Sequence, residues 1–440
     1  MRLCIAHIPI FQKRILIFIP MPIELILILL FVLGYIGIIF EHKLGFDKAS
    51  AALITAVGLW TLLVFNGNTE EITQAFSHDI LPEIAGILLF LLGAMTIVEI
   101  IDQYEGFHVI ASKITTTNKR TLIWIIAWLA FFLSAVLDNL TTAIVMISLL
   151  KKLIDDKEER MLFAGIVIIA ANAGGAWSPM GDITTTMLWI KGQITALSIM
   201  KEIFLASAVC LLVPLIVVTF RIKGNIPTKT DDEDYQNPLW VRTTILCVGL
   251  GALVFVPIFK TITHLPPFMG MLFGVGVLWL IADLINKGKD DQSKKEISVY
   301  KALSKIDIPS ILFFFGILAA VGALEKAEIL HHLATALDKS IGNHDVIIYC
   351  IGLLSAVIDN VPLVAASQAM YTFPTDDHLW HFVAYCAGTG GSILIIGSAA
   401  GVAVMGLEKI NFIWYAKKIG WLAFIGYTAG ALVSYAESVL

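Results

Sequence analysis

A carboxylate and an amide stand side by side inside a long apolar run at residues 133–142, which read LSAVLDNLTT. An ionised carboxylate at the centre of a bilayer costs several kcal/mol, so such a group is retained for a function or is compensated. The phrase recurs at 354–363 as LSAVIDNVPL. The polar residues of the two phrases are Asp138, Asn139, Thr141, Thr142, Asp359 and Asn360.

A glycine-rich polar stretch follows each phrase. NAGGAWSPMGDITTT at 172–186 is not expected to form an uninterrupted helix, because Pro179 removes a backbone donor and the glycines loosen the chain. GTGGSILIIGS at 388–398 stands in the corresponding place of the second half. Non-helical backbone at membrane depth survives only where protein or a wet cavity satisfies it. The polar candidates in the two stretches are Asn172, Asp182, Thr184, Thr389, Ser392 and Ser398.

These residues together offer carboxylate, amide, hydroxyl and freed carbonyl oxygens, which are the ligands that hard cations prefer. Structural roles compete with this interpretation. Asp138 and Asp359 fit a buried structural pair or helix caps, and Asp182 fits a cap on the half-helix that follows it. Hydroxyls such as those of Thr389 and Ser392 often only join neighbouring membrane helices.

The composition indicates a polytopic helical membrane protein. Of the 440 residues, 58% are hydrophobic and 15% are charged, whereas soluble domains carry about 25% charged residues. Several apolar stretches reach the roughly 20 residues that cross a bilayer as a helix. The net charge of −5 says little about partners, because the loops that hold the charges matter more.

The motifs of several other protein classes are absent from the sequence. The five cysteines are scattered singly, which favours neither a disulfide framework nor a zinc site. No phosphate-binding loop of the GxxxxGK[ST] type occurs, and an ATP-driven pump would need one. No cofactor and no nucleic-acid partner is therefore predicted, and the energy for any transport must come from elsewhere.

Lysine and arginine crowd into four connections, which the positive-inside rule assigns to the cytoplasm. Two of these connections, ending near Arg120 and beginning near Lys151, flank residues 121–150. Both flanks are predicted on one side, so we expect a re-entrant hairpin at about 121–150 that turns at Asp138–Asn139. The second copy, about 346–373, has poorly basic flanks and is predicted to enter from outside.

Two related hairpins that enter from opposite faces indicate an inverted repeat. The fold prediction is an all-α polytopic membrane protein of two inverted repeats, each with five transmembrane helices, a re-entrant hairpin and a broken helix. Residues 22–222 form the first repeat, 223–240 a cytoplasmic linker and 241–440 the second repeat. The crossings are expected at about 22–40, 48–66, 83–103, 161–190 and 198–222, then at 241–259, 266–286, 308–324, 380–408 and 412–435. Residues 1–21 have no assigned role.

The duplicated S-A-x-x-D-N hairpin with its glycine-rich broken helix resembles the ion transporter superfamily. Within it, FLSAVLDNLTTAIVM and NAGGAWSPMGDITTTMLW resemble the NhaD-type sodium/proton antiporters, and the resemblance spans nearly the whole chain from about residue 22. It implies a homodimer with a scaffold part and a moving transport part. It also implies transport roles for Asp138, Asn139, Asn172, Asp182, Thr184, Asp359 and Asn360. The second tip departs from the first, because Val361 and Pro362 lack the hydroxyls that Thr141 and Thr142 supply, and this puts strict equivalence of the two sites in question.

Three functions compete on this basis. The leading one is a secondary antiporter that exchanges cytoplasmic Na⁺ or Li⁺ for external H⁺, with Na⁺ held at Asp138, Asn139, Asp182, Asp359 and Asn360. The second is an anion transporter of the same superfamily for dicarboxylate, citrate or arsenite, which would favour cationic groups at the hairpin tips and breaks, where none occurs. The third is an intramembrane aspartyl enzyme. The expected partners are the lipid bilayer, the transported ions and a second copy of the chain, in the cell (inner) membrane.

Overall fold

The computed structural model describes residues 22–114, 116–226, 236–287 and 298–439, and these residues are almost entirely helical. The predictions made on residues 1–21 lie outside the described residues. So do 227–235 of the predicted linker and the lysines between 288 and 297.

The described residues of the first half of the chain form eleven α-helices, and the break between two of them coincides with the first hairpin phrase. A stretch of π-helix at Ala75–Ile80 joins the fourth helix to the fifth. The helices are α1 (Ile23–Ile39), α2 (Glu41–Leu44), α3 (Lys48–Asn66), α4 (Thr69–Gln74), α5 (Leu81–Gln103), α6 (His108–Ala111), α7 (Lys119–Leu137), α8 (Asn139–Leu153), α9 (Lys157–Ala176), α10 (Ile183–Ile190) and α11 (Ala196–Arg221).

The second half of the described chain includes an amphipathic helix, Ile329–Ile341, before the second hairpin phrase. Its helices are α12 (Leu239–Thr263), α13 (Pro267–Asn286), α14 (Val299–Lys305), α15 (Ile308–Lys326), α16 (Ile329–Ile341), α17 (His344–Leu354), α18 (Asn360–Met370), α19 (His378–Gly390), α20 (Ala399–Glu408), α21 (Phe412–Tyr415) and α22 (Trp421–Val439). A π-helical turn at Ala416–Gly420 joins the last two.

The helix lengths confirm a multi-pass membrane protein. Within the described ranges, nine helices are long and apolar enough to cross a bilayer. The sequence predicts ten crossings. Eight of them coincide with helices of this set, and the ninth helix is α7 (Lys119–Leu137), the first arm of the predicted hairpin. The other two predicted crossings are unmatched because of helix length. Helix α1 has 17 residues and is slightly shorter than a full span, while α19 and α20 are two short helices that together follow the predicted crossing at 380–408.

Two groups of helices can be separated by their packing. We call α3, α5, α12, α13 and α15 the peripheral group, and α7 to α11, α17 to α20 and α22 the hairpin group. In the peripheral group, α3 lies along α15, and α13 packs against α5 and α12. In the hairpin group, α7 and α8 pack on α9, α11 lies along α22, and α9 contacts α19. Contacts between the two halves of the chain within the hairpin group also include α8 with α20 and α10 with α18. The hairpin group therefore holds both duplicated phrases and both glycine-rich stretches.

Helix α9 is the most enclosed element of the hairpin group. Every residue from Phe163 to Ala176 is buried, and small side chains in its last turns let neighbouring helices approach closely. Large apolar side chains on the peripheral group, such as Ile54, Ile262 and Phe273, are instead exposed. In a membrane protein such residues face lipid.

Candidate cation-binding site

The first duplicated phrase forms a tight turn between two helices. Helix α7 ends at Leu137 and α8 begins at Asn139, so Asp138 alone makes the connection, with φ 102° and ψ 162°. A positive φ is costly for a residue that is not glycine and persists only where the surroundings enforce it. The Asp138 carboxylate accepts hydrogen bonds from the Thr141 backbone N (2.7 Å) and Oγ1 (2.9 Å). Oδ1 of Asp138 thus caps α8, and Oδ2 binds the hydroxyl of the same threonine.

The buried carboxylate of Asp182 lies where the two hairpin phrases meet. Asp182 caps α10 through a hydrogen bond from the Thr184 backbone N at 3.0 Å and is 1% exposed. Asn139 Nδ2 donates to its Oδ2 at 2.7 Å, and Asn360 Nδ2 donates to both of its oxygens at 3.3 and 3.2 Å. One carboxylate therefore receives an amide from each copy of the phrase.

Asn172 extends this network to the second glycine-rich stretch. Its Oδ1 accepts the second hydrogen bond of Asn139 Nδ2, at 3.0 Å. Its own Nδ2 donates to the hydroxyls of Ser392 and Ser398, each at 2.9 Å. All six side chains of this cluster (Asn139, Asn172, Asp182, Asn360, Ser392 and Ser398) are buried, so elements from both halves of the chain share one buried polar cluster.

The second phrase uses its aspartate differently. Asp359 has φ −50° and caps α18 through a 3.4 Å hydrogen bond from the Val361 backbone N. Its Oδ2 lies 3.8 Å from Nζ of Lys48, the first residue of α3. The tips and breaks themselves contain no Lys or Arg, but Lys48 reaches Asp359 from a helix that is remote in sequence.

Glycine lets the interrupted helices lie directly on the hairpins. A Cβ on Gly174 would lie 2.1 Å from the Phe131 carbonyl oxygen of α7, and one on Gly390 would lie 2.0 Å from the Gly352 carbonyl oxygen of α17. No side chain fits at either distance. The two contacts occupy equivalent places in the two halves of the chain.

Several hydroxyls that the sequence analysis singled out lie outside the hydrogen-bonded cluster. Thr389 Oγ1 donates to the Tyr385 carbonyl oxygen of its own helix at 2.6 Å, and Thr141 binds Asp138. The buried hydroxyl of Thr142 has no hydrogen-bond partner among the described residues. Thr184 contributes its backbone N–H to Asp182. The structure therefore brings together Asn139, Asn172, Asp182, Asn360, Ser392 and Ser398.

Comparison with known proteins gives consistent matches over most of the chain. The model of the citrate transporter family (CitMHS) matches residues 35–381. "Sodium/proton antiporter 2" of Arabidopsis thaliana is 47% identical over 413 residues, which cover 92% of this chain and 97% of that protein. "Sodium/proton antiporter 1" of the same plant is 49% identical over 407 residues, 91% of this chain and 70% of that protein. "Na(+)/H(+) antiporter NhaD" of Vibrio cholerae is 31% identical over 443 residues, 94% of this chain and 90% of that protein.

The chain belongs to the NhaD-type sodium/proton antiporters, within the citrate transporter family. The resemblance identified from the hairpin and glycine-rich motifs is confirmed. Family and relatives are transporters, which removes support from the interpretation of Asp138 and Asp359 as an aspartyl enzyme pair.

A cavity of about 530 Å³ in this NhaD-type chain adjoins the polar cluster. Leu140 and Ala399, which directly follow Asn139 and Ser398 of the cluster, are among its lining residues. The acidic residues Glu41, Asp47 and Asp307 and the basic residue Lys48 also line it. Carboxylates that line a cleft raise the local concentration of cations.

The donor set suits a monovalent hard cation better than a transition metal. Within the described residues, no group of three or more His, Cys, Asp or Glu side chains is placed to hold a metal ion. Carboxylate, amide and hydroxyl oxygens are instead concentrated around Asp182, and these are ligands that hard cations take from proteins.

Proposed function

We propose that this chain exchanges cytoplasmic Na⁺ (or Li⁺) for external H⁺ by alternating access, with Asp182 at the centre of the shared binding site. The observation that carries the proposal is the pair of amides, Asn139 and Asn360, that converge on the buried Asp182 carboxylate. Relatives that are 47–49% and 31% identical are named sodium/proton antiporters, which supports the same exchange here.

A single buried carboxylate explains why the two ions would be exchanged and not co-transported. Burial disfavours an uncompensated negative charge, so the carboxylate is stable in the membrane when it holds either a proton or a cation. A bound proton removes the charge that attracts Na⁺, and a bound Na⁺ occupies the oxygens that would take the proton. The amide oxygens of Asn139, Asn172 and Asn360 would complete the cation's shell once the amides of Asn139 and Asn360, whose NH₂ groups face Asp182 in this structure, turn over.

The inverted-repeat architecture forms part of this proposal. Ser134 Oγ donates to the Ala171 carbonyl oxygen at 2.6 Å, and Ser355 Oγ donates to the Ala387 carbonyl oxygen at 2.8 Å. Each bond joins the first arm of a hairpin phrase to the helix that precedes the following glycine-rich stretch. This equivalence supports repeats at 22–222 and 241–440, with hairpins that enter from opposite faces of the membrane.

The two copies nevertheless differ where an ion would bind. When NAGGAWSPMGD at 172–182 is aligned with GTGGSILIIGS at 388–398, Asn172 corresponds to Gly388 and Asp182 to Ser398. The second half thus supplies hydroxyls where the first supplies a carboxylate. We therefore place one principal site at Asp182, and the Na⁺ ligands assigned to Asp138 and Asp359 become secondary in this proposal.

The helix packing suggests which part would move. The hairpin group contains every residue of the Asp182 cluster, and it packs across the two halves through α9, α11, α19 and α22. We assign it as the transport part and the peripheral group as the scaffold. A homodimer formed through the scaffold belongs to the same proposal and rests on the resemblance alone.

Transport of citrate or another anion is the second candidate, because the matching family model is described as a citrate transporter. The site chemistry opposes it. Asp138, Asp182 and Asp359 would repel an anion, and Lys48 is the lysine paired with one of them, Asp359, at 3.8 Å. A carboxylate substrate would meet excess negative charge.

The experiment that tests the proposed function is proton movement in proteoliposomes that contain the purified chain and a trapped pH-sensitive dye. Addition of NaCl or LiCl to one side should drive protons in the opposite direction, whereas choline chloride should not. Uptake of radiolabelled citrate is measured on the same vesicles. Citrate uptake without sodium-driven proton movement would replace the antiporter with the anion transporter.

A further inference from the structure

The pairing of Lys48 with Asp359 has a geometry that is unusual for a structural ion pair. The Nζ to Oδ2 distance of 3.8 Å exceeds the roughly 2.7–2.9 Å of a charge-assisted hydrogen bond. The side chains are 24% and 16% exposed, and Lys48 lines the 530 Å³ cavity. The pair is therefore a loose electrostatic contact that an incoming cation can reach.

The helix that carries Lys48 does not favour a cation at this position. Lys48 is the first residue of α3, where the helix dipole is positive and an acidic residue would be preferred. Its ammonium also lies 4.5 Å from the ring centroid of Phe313, a cation–π contact. Its backbone N donates to Glu41 Oε2 at 3.0 Å. These contacts orient the side chain towards Asp359 in spite of the dipole.

The two aspartates of the duplicated phrase are satisfied by different groups. Asp138 receives a backbone N–H and a hydroxyl, both from Thr141, at 2.7 and 2.9 Å. The residue that corresponds to Thr141 is Pro362, which has neither donor. The hydrogen bond that Asp359 receives from Val361 N is 3.4 Å long. The ammonium of Lys48 supplies the compensation that the second phrase lacks.

We infer that Lys48 is a tethered cation that neutralises Asp359 when no transported ion is bound, and that Na⁺ displaces it from this carboxylate. The inference rests on the proposed antiport function and adds to it a residue that sets apparent sodium affinity. Lys48 belongs to α3 of the peripheral group and Asp359 to the turn before α18 of the hairpin group. The ion pair is therefore one contact between the two groups, beside the packing of α15 on α18, and ion binding releases it.

This role predicts that removal of the Lys48 charge strengthens sodium binding, which the loss of a merely structural ion pair would not do. Loss of a structural ion pair leaves an uncompensated carboxylate and lowers stability, with no gain in ion binding. Loss of a competing cation makes Na⁺ bind more tightly, because Asp359 no longer has an internal partner. For a partly exposed pair at this distance we expect about three- to fivefold tighter binding.

The experiment is sodium binding to the purified full-length chain in detergent at one pH, measured by isothermal titration calorimetry. Lys48→Gln should bind Na⁺ about three- to fivefold more tightly than the wild type, and Lys48→Arg, which keeps the charge, should match the wild type. Lys48→Met repeats the test if Lys48→Gln is not recovered. Lys326→Gln is the matched control, since Lys326 pairs with Glu71 at 2.8 Å and does not line the cavity.

A double variant shows whether the effect passes through Asp359. In the Asp359→Asn background, Lys48→Gln should leave sodium affinity unchanged, because the two residues are energetically coupled. Unchanged or weaker binding by Lys48→Gln, beside normal binding by the wild type, overturns this inference and leaves the antiporter intact. No sodium binding by the wild type overturns the proposed function itself.

Discussion

Asn139 Nδ2 lies 2.7 Å from Oδ2 of Asp182, although the two residues belong to different interruptions of the helical chain. Asn139 begins α8 directly after the hairpin turn, and Asp182 caps α10 after the glycine-rich stretch. Asn360 approaches the same carboxylate from the other half of the chain, at 3.2 Å. A displacement of either hairpin would therefore change the polar groups that surround the Asp182 carboxylate.

Asp182→Asn separates a capping role from an ion-binding role. Asparagine caps a helix nearly as well as aspartate, so α10 should persist while the charge is lost. We expect sodium-driven proton movement to fall to the level of empty vesicles. Asp377→Asn is the control, since Asp377 caps α19 through the Leu379 N at 2.9 Å and lies outside the cluster. Wild-type exchange and an unchanged pH profile in Asp182→Asn would return Asp182 to a structural role.

The two hairpin asparagines should contribute to sodium affinity in the same direction. Asn139→Ala and Asn360→Ala each remove an amide whose oxygen is proposed to bind the cation beside Asp182, and hydrogen bonds or similar contacts to charged groups contribute about 1.5–3 kcal/mol. We expect apparent sodium affinity to weaken by about tenfold or more in each variant. Asn66→Ala serves as control, because the exposed Asn66 amide binds only the Leu62 carbonyl oxygen of its own helix. Equal affinities in all three variants would contradict a site shared by both hairpins.

The sequence predicted the position of the breaks and most members of the cluster. The duplication of a polar sequence that is costly to bury in a membrane indicates Asn139 and Asn360. Glycine and proline residues indicate the helix interruption before Asp182. These signals are local, because burial cost and helix propensity act on neighbouring residues in the chain.

The sequence did not show which atoms meet. The duplication suggests that Asp138 and Asp359 form the central pair. In the structure, however, the Asp138 carboxylate is hydrogen-bonded to Thr141, and the unduplicated Asp182 receives the amides of Asn139 and Asn360. Lys48 carries no motif, and only the packing of α3 against the second half of the chain brings it to Asp359. Contacts of that kind depend on tertiary packing that neither spacing nor composition encodes.

Gly174 should be among the least tolerant positions of the transport part. An added methyl group would lie 2.1 Å from the Phe131 carbonyl oxygen, which is backbone and has no rotamer to adjust. Overpacking of this kind costs about 1–3 kcal/mol or more, so Gly174→Ala should lower the melting temperature in detergent. Gly276→Ala is the matched control, since nothing lies within 4 Å of its Cβ position. Equal melting temperatures for the two variants would show that α7 and α9 do not pack as closely as described.

The topology can be tested independently of transport. Single cysteines near Lys119 and Lys152 should both react with an impermeant maleimide from the cytoplasmic side, and cysteines near Asn343 and Asp377 from the outer side. The background chain has its five native cysteines replaced. If the positions near Lys119 and Lys152 are labelled from opposite sides, residues 121–150 cross the membrane as an ordinary span. The argument for an inverted repeat would then fail.

The ion pair between Arg160 and Glu408 connects the two halves of the hairpin group and should stabilise it. Arg160 Nε donates to Glu408 Oε2 at 2.8 Å, and the Glu408 side chain is 1% exposed. Arg160 also donates to the Ile154 carbonyl oxygen just after α8, so the pair fixes the end of α20 to the α8–α9 connection. Removal of one partner leaves the other charge buried, which costs about 3–5 kcal/mol in a fully dry site.

We expect a smaller cost for Glu408→Gln, on the order of 2–3 kcal/mol, because the Arg160 side chain is 16% exposed and keeps some contact with water. The melting temperature in detergent should fall in Glu408→Gln and in Arg160→Gln, and the double variant should be less destabilised than the sum of the two, because both changes remove the same interaction. Lys326→Gln, which breaks the exposed pair with Glu71, should change the melting temperature little. Additive losses in the double variant would show that Arg160 and Glu408 act independently and that this ion pair does not join the two halves.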